Sequence, residues 1–422
     1  MVGSMWRALV LFSASLKGAH AGSMEIGADA IVNVYAGGSI VVQGGPPESH
    51  TPPSGPPPFA PPSAPSPLPQ CLFGDKDSGS VTTLDTHASN DIGTLKAYAM
   101  TMTPDGANLL VADMTEHSIR SVSYPRGLVT TLAGQGNAGV SGNADGTGTS
   151  ATFNMPRGIA INPNGDTVII ADTNNHRLRM MTYPGGVVTT FAGSSYAGQD
   201  NDEADGTGTA ALFSAPHGIA FTPDGSALIV CDKEAAKIRR VSFPEGVVTT
   251  IAGSGTFSYV DGTRLSASFI GPEDIAFTRD GTVAIILDLN PFGPARVRAM
   301  SYPGGEVTSF AGHAQDGYHA TGSADGTGTA ASFNAPHGLA VSGNSAVLVA
   351  DTNNNCIRSV TYPGGVVTTI AGGQYGYQDG TGTNAYFKNP GRVAVMPNGV
   401  AGCTVFIADH QNSRIRMVMT PQ

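Results

Sequence analysis

A short phrase, Val-Thr-Thr or a close variant of it, recurs along the chain at a nearly constant interval, and this periodicity limits the folds that are available. The copies begin at Val81, Val129, Val188, Val248, Val307 and Val367. From the second copy onward, successive copies are 59 or 60 residues apart. Repeats of this length, each made of short β segments, are typical of arrays in which every unit packs on its neighbours. The sequence therefore predicts a single repeat domain.

Each unit contains four runs that predict β-strands. In the second unit they are GIAIN (Gly158–Asn162), TVIIAD (Thr167–Asp172), RLRMMTYP (Arg177–Pro184) and VVTTFAG (Val187–Gly193). Proline, asparagine and glycine separate the runs, and short apolar or β-branched runs bounded by such residues are typical of strands joined by tight turns. The 56 glycines, 29 prolines and 13% charged residues agree with an all-β protein.

The number of strands indicates how the array closes. The first three strands occur six times, but the last copy stops at RMVMTPQ without its own fourth strand. The phrase SVTTLD, at Ser80–Asp85, supplies that strand from the other end of the domain. A strand borrowed in this way removes the exposed edge of a closed ring. We expect an all-β, six-bladed β-propeller of four-stranded blades, closed by an N-terminal strand that completes the last blade.

Four short motifs recur together in these units. They are P-x-G-I-A, a P-[ND]-G turn, A-D-x-x-N-x-x-[IL]-R and V-T-T-x-A-G, and they extend from about residue 80 to residue 422. This set resembles the NHL repeat family, and the resemblance implies a six-bladed β-propeller. It implies much less about activity, because that family includes ubiquitin-ligase scaffolds, RNA binders, receptor sensor domains and a few enzymes.

The chain before the repeats divides into three further segments. Residues 1–21 have one positive charge, Arg7, before a short apolar run, and then an Ala-His-Ala site, which fits a weak secretory signal. Residues 22–45 are unassigned, although their alternating apolar residues suit a strand. Residues 46–70 are proline-rich and predict an extended spacer, and the propeller occupies residues 71–422. The signal favours an extracellular or secretory location, with a cytoplasmic one left open.

Charge and cysteine content exclude some classes of partner. The chain has 22 Lys and Arg against 32 Asp and Glu, a net charge of −10, which argues against nucleic-acid binding. No apolar run reaches the length of a membrane span.

The spacing of the four cysteines fits neither a metal finger nor a disulfide framework. Cys231 suits a buried position, and one bridge among Cys71, Cys356 and Cys403 stays open. We expect a monomeric propeller.

An aspartate at the end of each second strand precedes an arginine in the third. The pairs are Asp113 with Arg120, Asp172 with Arg179, Asp232 with Arg239, Asp288 with Arg298, Asp351 with Arg358 and Asp409 with Arg416. The interval is seven residues except in the fourth pair, where NPFGP lengthens the hairpin. Residues on paired strands can meet as a bidentate ion pair. Because all six units carry the pair, we expect a structural role.

The phrase ADGTGT also recurs, before an aromatic residue. Asp-Gly favours a tight turn, and we expect a short helical turn that places Phe153, Phe213 or Phe333 in the seam between blades. An alternative is a calcium loop at DNDEADG, where Asp200, Asp202 and Asp205 crowd together. The spacing misses the EF-hand pattern and lacks its distal glutamate.

The residue that precedes the repeated glycine varies, and it marks a candidate site. Aligned around the ring, these residues are Tyr98, Arg157, His217, Glu273, His337 and Gly391, and Asp274 and Arg392 stand where other units have glycine. The alignment places them beside the central channel, on the rim that carries the longer loops, where sites usually form. Three interpretations stay open: a variable slot in a wet channel, a zinc or calcium site, or a site for an organic anion held by Arg157 and a histidine.

The sequence leads to one principal function and one alternative. The principal expectation is a non-catalytic binding or scaffold module that engages a protein or peptide through its loop-bearing face, with no cofactor. The alternative is a metal-dependent lyase or hydrolase at the channel mouth, with His217, His337 and Glu273 as the candidate catalytic residues. That alternative is similar to the propeller amidating lyases, which hold zinc among three histidines, but Tyr98 stands where a third histidine would fall.

Overall fold

The computed structural model describes residues 31–34, 40–43, 80–84, 95–135, 140–194, 203–291, 293–313, 321–397 and 404–419. The chain divides into two compact units, Met1–Ala64 and Pro65–Gln422. In the first, strands Ile31–Val34 and Ile40–Gln43 form an antiparallel pair, so the strand expected in this segment has its partner within the same segment. The predicted signal peptide and the proline-rich linker lie outside the described residues.

The second unit is an all-β, six-bladed propeller, which confirms the predicted fold. The strands are given from the axis outward, and the short edge strand comes last where there is one. Blade 1 contains Ala97–Met102, Asn108–Asp113, Ser118–Ser123 and Val129–Ala133. Blade 2 contains Pro156–Ile161, Thr167–Asp172, Arg177–Thr182, Val187–Ala192 and Gly146–Thr147. Blade 3 contains Pro216–Phe221, Ala227–Asp232, Lys237–Ser242, Val247–Ala252 and Gly206–Thr207.

The other three blades follow the same order. Blade 4 contains Pro272–Phe277, Val283–Leu289, Ala295–Ser301, Glu306–Ala311 and Gly262–Thr263. Blade 5 contains Gly338–Ser342, Ala346–Asp351, Cys356–Thr361, Val366–Gly372 and Gly326–Thr327. Blade 6 contains Pro390–Val395, Thr404–Asp409, Arg414–Met419, Ser80–Leu84 and Gly380–Thr381. Single turns of 3-10 helix lie at Gly148–Ser150, Thr173–Asn175, Gly208–Ala210, Arg264–Ser266, Gly328–Ala330, Thr352–Asn354, Gly382–Asn384 and His410–Asn412.

The ring closes through the N-terminal strand, as predicted. Ser80–Leu84 is antiparallel to Arg414–Met419, with Ser80 opposite Met419 and Leu84 opposite Ile415. Its other edge pairs with Gly380–Thr381. The last blade thus has the same five-stranded order as blades 2 to 5, and its outer strand comes from the start of the domain.

The hydrophobic core lies in the seams between blades. Phe213 is fully buried in a cluster that joins Leu178 of blade 2 to Ile219 and Val230 of blade 3. Phe153 and Phe333 occupy the equivalent seams, which confirms the predicted anchors. The structure adds Phe269 and Phe387, which lie in the two linkers whose sequences differ from ADGTGT. The repeated phrase of the sequence is therefore the segment that crosses from the outer edge of each blade to its innermost strand.

The repeated arginine contacts two carboxylates instead of one. Arg179 Nη1 donates to Asp172 Oδ2 at 2.9 Å, and Nη2 donates to Asp145 Oδ1 at 2.7 Å. Nη1 and Nη2 also donate to the carbonyls of Thr152 and Ala144. The predicted bidentate pair with one aspartate is thus wrong in this detail. Asp172 Oδ1 instead accepts the backbone N–H of residue 154, so one arm of the guanidinium is left for Asp145.

The same fork recurs in blades 3 to 6. Arg239 contacts Asp232 and Asp205, Arg298 contacts Asp288 and Asp261, Arg358 contacts Asp351 and Asp325, and Arg416 contacts Asp409 and Asp379. In blade 1, Arg120 Nε lies 3.7 Å from Asp113 Oδ2. The aspartate of the ADGTGT phrase therefore completes an ion-pair network as well as forming a turn.

The two faces of the ring differ in their connections. One face carries the hairpins between the second and third strands, such as Thr173–Asn175, and receives the linkers between blades; we call it the loop face. The opposite face carries compact turns such as Pro163-Asn164-Gly165, whose Gly165 lies against Pro104 of the preceding blade; we call it the tight-turn face. Among the described residues, no helix is both long and apolar enough to cross a bilayer.

Two of the four cysteines can be placed. Cys231 and Cys356 are buried and unpaired. Burial raises the pKa of both thiols, so both stay protonated at neutral pH and behave as small apolar residues. Cys356 is a free thiol in this structure, and Cys71 and Cys403 lie outside the described residues.

Candidate functional site

A buried glutamate on the axis joins side chains from several blades. Glu273 is 0% exposed. Its Oε1 accepts the Tyr98 hydroxyl at 3.0 Å and lies 3.2 Å from His337 Nδ1. Its Oε2 accepts Lys233 Nζ at 2.8 Å and lies 3.3 Å from His217 Nδ1. Each carboxylate oxygen therefore has two partners, and blades 1, 3, 4 and 5 meet at one side chain. We call these five residues the axial cluster.

The fold places these groups because each innermost strand starts on the loop face. Tyr98, Glu273 and His217 lie in the first residues of their strands, and His337 directly precedes Gly338–Ser342. Arg157 Nη1 donates to the Tyr98 hydroxyl at 3.4 Å, which places Arg157 at the edge of the cluster. All five predicted binding residues are thus brought together. Gly391, the sixth aligned position, contributes no side chain.

Sequence alignment missed Lys233, because this residue lies in a hairpin and not at the aligned position. It follows Asp232 at the end of the second strand of blade 3. Hairpins of the other blades have Met114, Thr173, Thr352 or His410 at the equivalent point. The lysine therefore departs from the repeat in a way that the sequence shows. Its positive charge is opposite to that of Glu273, the one glutamate among the aligned residues.

A second ion pair, between Arg392 and Asp274, lies in the channel next to the axial cluster. Arg392 Nη1 donates to Asp274 Oδ1, and Arg392 Nη2 donates to the Glu273 carbonyl at 3.2 Å. Asp274 Oδ2 accepts the Leu339 backbone N–H at 2.8 Å. Asp274 and Arg392 stand where units 2, 3 and 5 have glycine, so the sequence marked both residues as departures from the repeat but did not indicate that they pair.

Two of the glycines at the same level lie too close to the backbone of the next blade to carry a side chain. A Cβ on Gly218 would lie 2.5 Å from Asp274 Cα, and a Cβ on Gly338 would lie 2.6 Å from Arg392 Cα. Inner strands of neighbouring blades therefore touch at this level. A cavity of about 410 Å³ extends from the ion pair of Asp274 and Arg392 toward the tight-turn face, and it is lined by inner-strand residues such as Ile159.

Burial and charge set the protonation states in the cluster. Burial lowers the pKa of His217 to about 4 against the opposing charge of Glu273, and Lys233 and Arg157 lower it further. Burial by itself would raise the pKa of Glu273, but His217 and Lys233 outweigh it and hold that pKa well below its usual range. Burial and then the Glu273 charge raise the pKa of the Tyr98 hydroxyl. At neutral pH, Glu273 is therefore ionised, and His217 and Tyr98 are neutral.

The depressed pKa of His217 predicts acid sensitivity. Because the folded protein favours the neutral imidazole, stability from this residue is complete above about pH 6.5 and is lost as the pH falls toward 4. The loss amounts to about 3 kcal/mol by linkage. We expect the free energy of unfolding of His217→Gln, measured by urea denaturation between pH 4.5 and 7.5, to depend less on pH than that of the wild type. Equal slopes for His217→Gln and the wild type would contradict the prediction.

The structure describes three of the predicted metal ligands, His217, His337 and Asp205. Among the described residues, no group of three or more His, Cys, Asp or Glu side chains is placed to hold a metal ion. His217 and His337 both turn Nδ1 toward the Glu273 carboxylate. Asp205 contacts Arg239 and accepts the Thr250 hydroxyl, whereas Asp200 and Asp202 lie outside the described residues. The zinc or calcium site remains a prediction.

Comparison with known proteins agrees with the repeat pattern. The family model described as NHL repeat matches residues 153–179 and 333–358. Protein SUPPRESSOR OF QUENCHING 1, chloroplastic, from Arabidopsis thaliana is 28% identical over 288 residues, which cover 67% of this chain and 26% of that protein. NHL repeat-containing protein 2 from Gallus gallus is 27% identical over 342 residues, 76% of this chain and 46% of that protein. The chain thus spans less than half the length of either relative.

Solved structures share the fold at lower identity. An auxiliary nutrient binding protein from Bacteroides ovatus has a TM-score of 0.58 at 15% identity, over 82% of this chain and 78% of that one. An auxiliary nutrient binding protein from Bacteroides thetaiotaomicron has a TM-score of 0.56 at 20% identity, over 82% and 78%. These likenesses establish the propeller architecture and nothing finer.

Proposed function

The chain is an NHL-repeat β-propeller, and from that premise we propose that it is a non-catalytic binding module that engages a protein or peptide through its loop face. The observation that supports the proposal is the position of the exposed aromatic side chains. Among the described residues, the strongly exposed aromatics are Phe257, Tyr375 and Tyr377, with exposed fractions of 57%, 61% and 49%. All three lie in linkers between blades.

Contacts from these linkers place the aromatics beside the hairpins of the loop face. The Tyr375 hydroxyl donates to Gln411 Oε1 at 3.4 Å, and Gln411 lies in the hairpin of blade 6. Tyr259, two residues after Phe257, donates its hydroxyl to the Pro294 carbonyl in the hairpin of blade 4. Rigid aromatic side chains lose little conformational entropy on binding and are enriched in the energetically important parts of interfaces.

The axial cluster supports binding more than chemistry. Both oxygens of Glu273 already accept hydrogen bonds from neighbouring side chains, Tyr98 at Oε1 and Lys233 at Oε2. Tyr98 is held neutral by burial and by the Glu273 charge. A network with these properties gives a rigid, preorganised surface, which reduces the entropy cost of association.

The proposal is tested by selecting peptides from a displayed random library on the full chain. We expect peptides whose affinity falls about tenfold or more when Phe257 and Tyr375 are both changed to serine, because each substitution removes a large apolar contact. The matched control changes Val187 and Val247 to serine; these exposed residues begin outer strands of blades 2 and 3, away from the loop face.

Two results would count against the loop face. Peptides weakened by the valine substitutions and not by the aromatic ones would move the site to another surface. A library that yields no binder to the full chain would remove the basis for a peptide-binding module.

A further inference from the structure

Arg157 differs from the repeated arginines of the propeller, because it contacts no carboxylate in the part of the chain that the structure describes. Among the described residues, its contacts are the Tyr98 hydroxyl at 3.4 Å and the face of the Tyr98 ring, 5.3 Å from the guanidinium to the centroid. Each arginine fork in blades 2 to 6, by contrast, meets two aspartates. Arg157 is half-buried, so it can still be reached from the loop face.

The nearest carboxylates are already committed to other groups. Glu273 has two partners on each oxygen, and Asp274 is held by Arg392 and a backbone N–H. Arg157, Lys233 and Arg392 carry three positive charges in this part of the molecule against the two negative charges of Glu273 and Asp274. A local excess of one positive charge thus stands on the axis of a chain whose net charge is −10.

Two further groups at the same place can donate hydrogen bonds. Lys233 uses one of its three protons on Glu273 Oε2 and is 17% exposed. His337 is 30% exposed, and only its Nδ1 faces Glu273, so Nε2 is the ring nitrogen not committed to that carboxylate. Partly desolvated charges interact more strongly than charges in open water, because the effective dielectric constant is lower.

We propose that Arg157, Lys233 and His337 form a carboxylate-binding site on the axis of the loop face, and that its ligand is a carboxylate of the bound peptide. This inference rests on the binding function proposed above and specifies the chemistry of the partner. A planar guanidinium offers two parallel N–H donors that match the two oxygens of a carboxylate. An excess of a single charge suits one carboxylate, and the acidic remainder of the chain disfavours polyanions.

The test uses the full chain and short synthetic peptides as probes, so the natural partner need not be identified first. The probes are acetyl-tetra-alanine with a free C-terminal carboxylate, its C-terminal amide, and the amidated peptides acetyl-Ala-Asp-Ala and acetyl-Ala-Asn-Ala. Dissociation constants are measured by ligand-observed NMR. We expect at least one acidic probe to bind about tenfold or more tightly than its neutral counterpart. The two acidic probes distinguish a terminal from a side-chain carboxylate, and sodium succinate tests a free organic anion.

Substitutions then locate the site. Arg157→Gln should abolish the preference for the acidic probe, whereas Arg157→Lys should keep part of it by retaining the charge. Arg240→Gln is the matched control, since Arg240 is also half-buried and its Nε donates to a tyrosine hydroxyl, that of Tyr302 at 3.2 Å, away from the axis. Thermal unfolding monitored by circular dichroism verifies that each variant is folded.

The outcomes separate this inference from the proposed function. Acidic and neutral probes that bind equally, or a preference that survives Arg157→Gln, would overturn the carboxylate site even if library peptides still bind through Phe257 and Tyr375. Succinate binding that depends on Arg157, with no preference among the peptide probes, would overturn the peptide carboxylate as ligand. A preference that depends on Arg157 would support the site even if the aromatic substitutions had no effect on library peptides.

Discussion

Replacing Arg179 with methionine is expected to lower the free energy of unfolding by about 3–5 kcal/mol, because it leaves the buried Asp172 carboxylate without its cation. The Asp172 side chain is fully buried, and burial raises its pKa even with Arg179 beside it. Without Arg179, the carboxyl must either bury a charge or take up a proton. The loss of stability should therefore be larger at pH 8 than at pH 5. Urea denaturation followed by circular dichroism at both pH values measures it.

Arg177→Met is the matched control, since Arg177 lies in the same strand and is nearly as buried. Its Nη1 donates to the Thr190 hydroxyl at 3.2 Å, and its loss leaves no buried carboxylate unpaired. We expect a cost of about 1 kcal/mol. Asp145→Asn should also cost about 1 kcal/mol or less, because that side chain is 50% exposed. Equal costs for Arg177→Met and Arg179→Met would show that the fork does not stabilise the blade as described.

Replacing Phe213 with alanine should cost about 3–5 kcal/mol, because it opens a cavity in the seam between blades 2 and 3. The ring is 0% exposed and packs with residues of both blades. Phe257→Ala is the control; that ring is mostly exposed, and its loss should cost about 0.5 kcal/mol or less. Both are measured by the same denaturation experiment, and a similar small cost for the two would mean that the seam can collapse onto the missing ring.

Phe213 and Arg239 should also depend on each other. The Arg239 guanidinium lies 5.4 Å from the centroid of the Phe213 ring, and the same contact recurs between Arg179 and Phe153. Residues in contact give non-additive effects in a double-mutant cycle. The combined Phe213→Ala, Arg239→Met variant is thus expected to lose less stability than the sum of the two single variants.

The architecture could be predicted because it depends on features that the sequence repeats. The Val-Thr-Thr phrase, the turns and the apolar anchors recur in register, and the missing last strand indicated the closure through Ser80–Leu84. The four aligned residues of the axial cluster, and Arg157 at its edge, could be predicted for the same reason: their strands are equivalent, so the starting points of these strands converge on the axis.

Other contacts could not be predicted, because they join residues that the repeat does not align. Lys233 reaches Glu273 from a hairpin, and Asp145 reaches Arg179 from a linker 34 residues away in sequence. The alignment placed Asp274 and Arg392 at one level of the channel, but the 118 residues between them gave no direct sign that they pair. Pairing across blades depends on side-chain reach and direction, which only the folded ring determines.

The way in which the ring closes has a mechanical consequence. Ser80 lies opposite Met419, so the chain enters and leaves the closing pair of strands at the same end. Tension applied between these two points would load one pair of residues at a time, and the strands would separate sequentially like a zipper instead of resisting together in shear. Blade 6 would therefore be the part of the ring that yields first under force, and its opening would expose the edge of Arg414–Met419 while blades 2 to 5 kept all their strands.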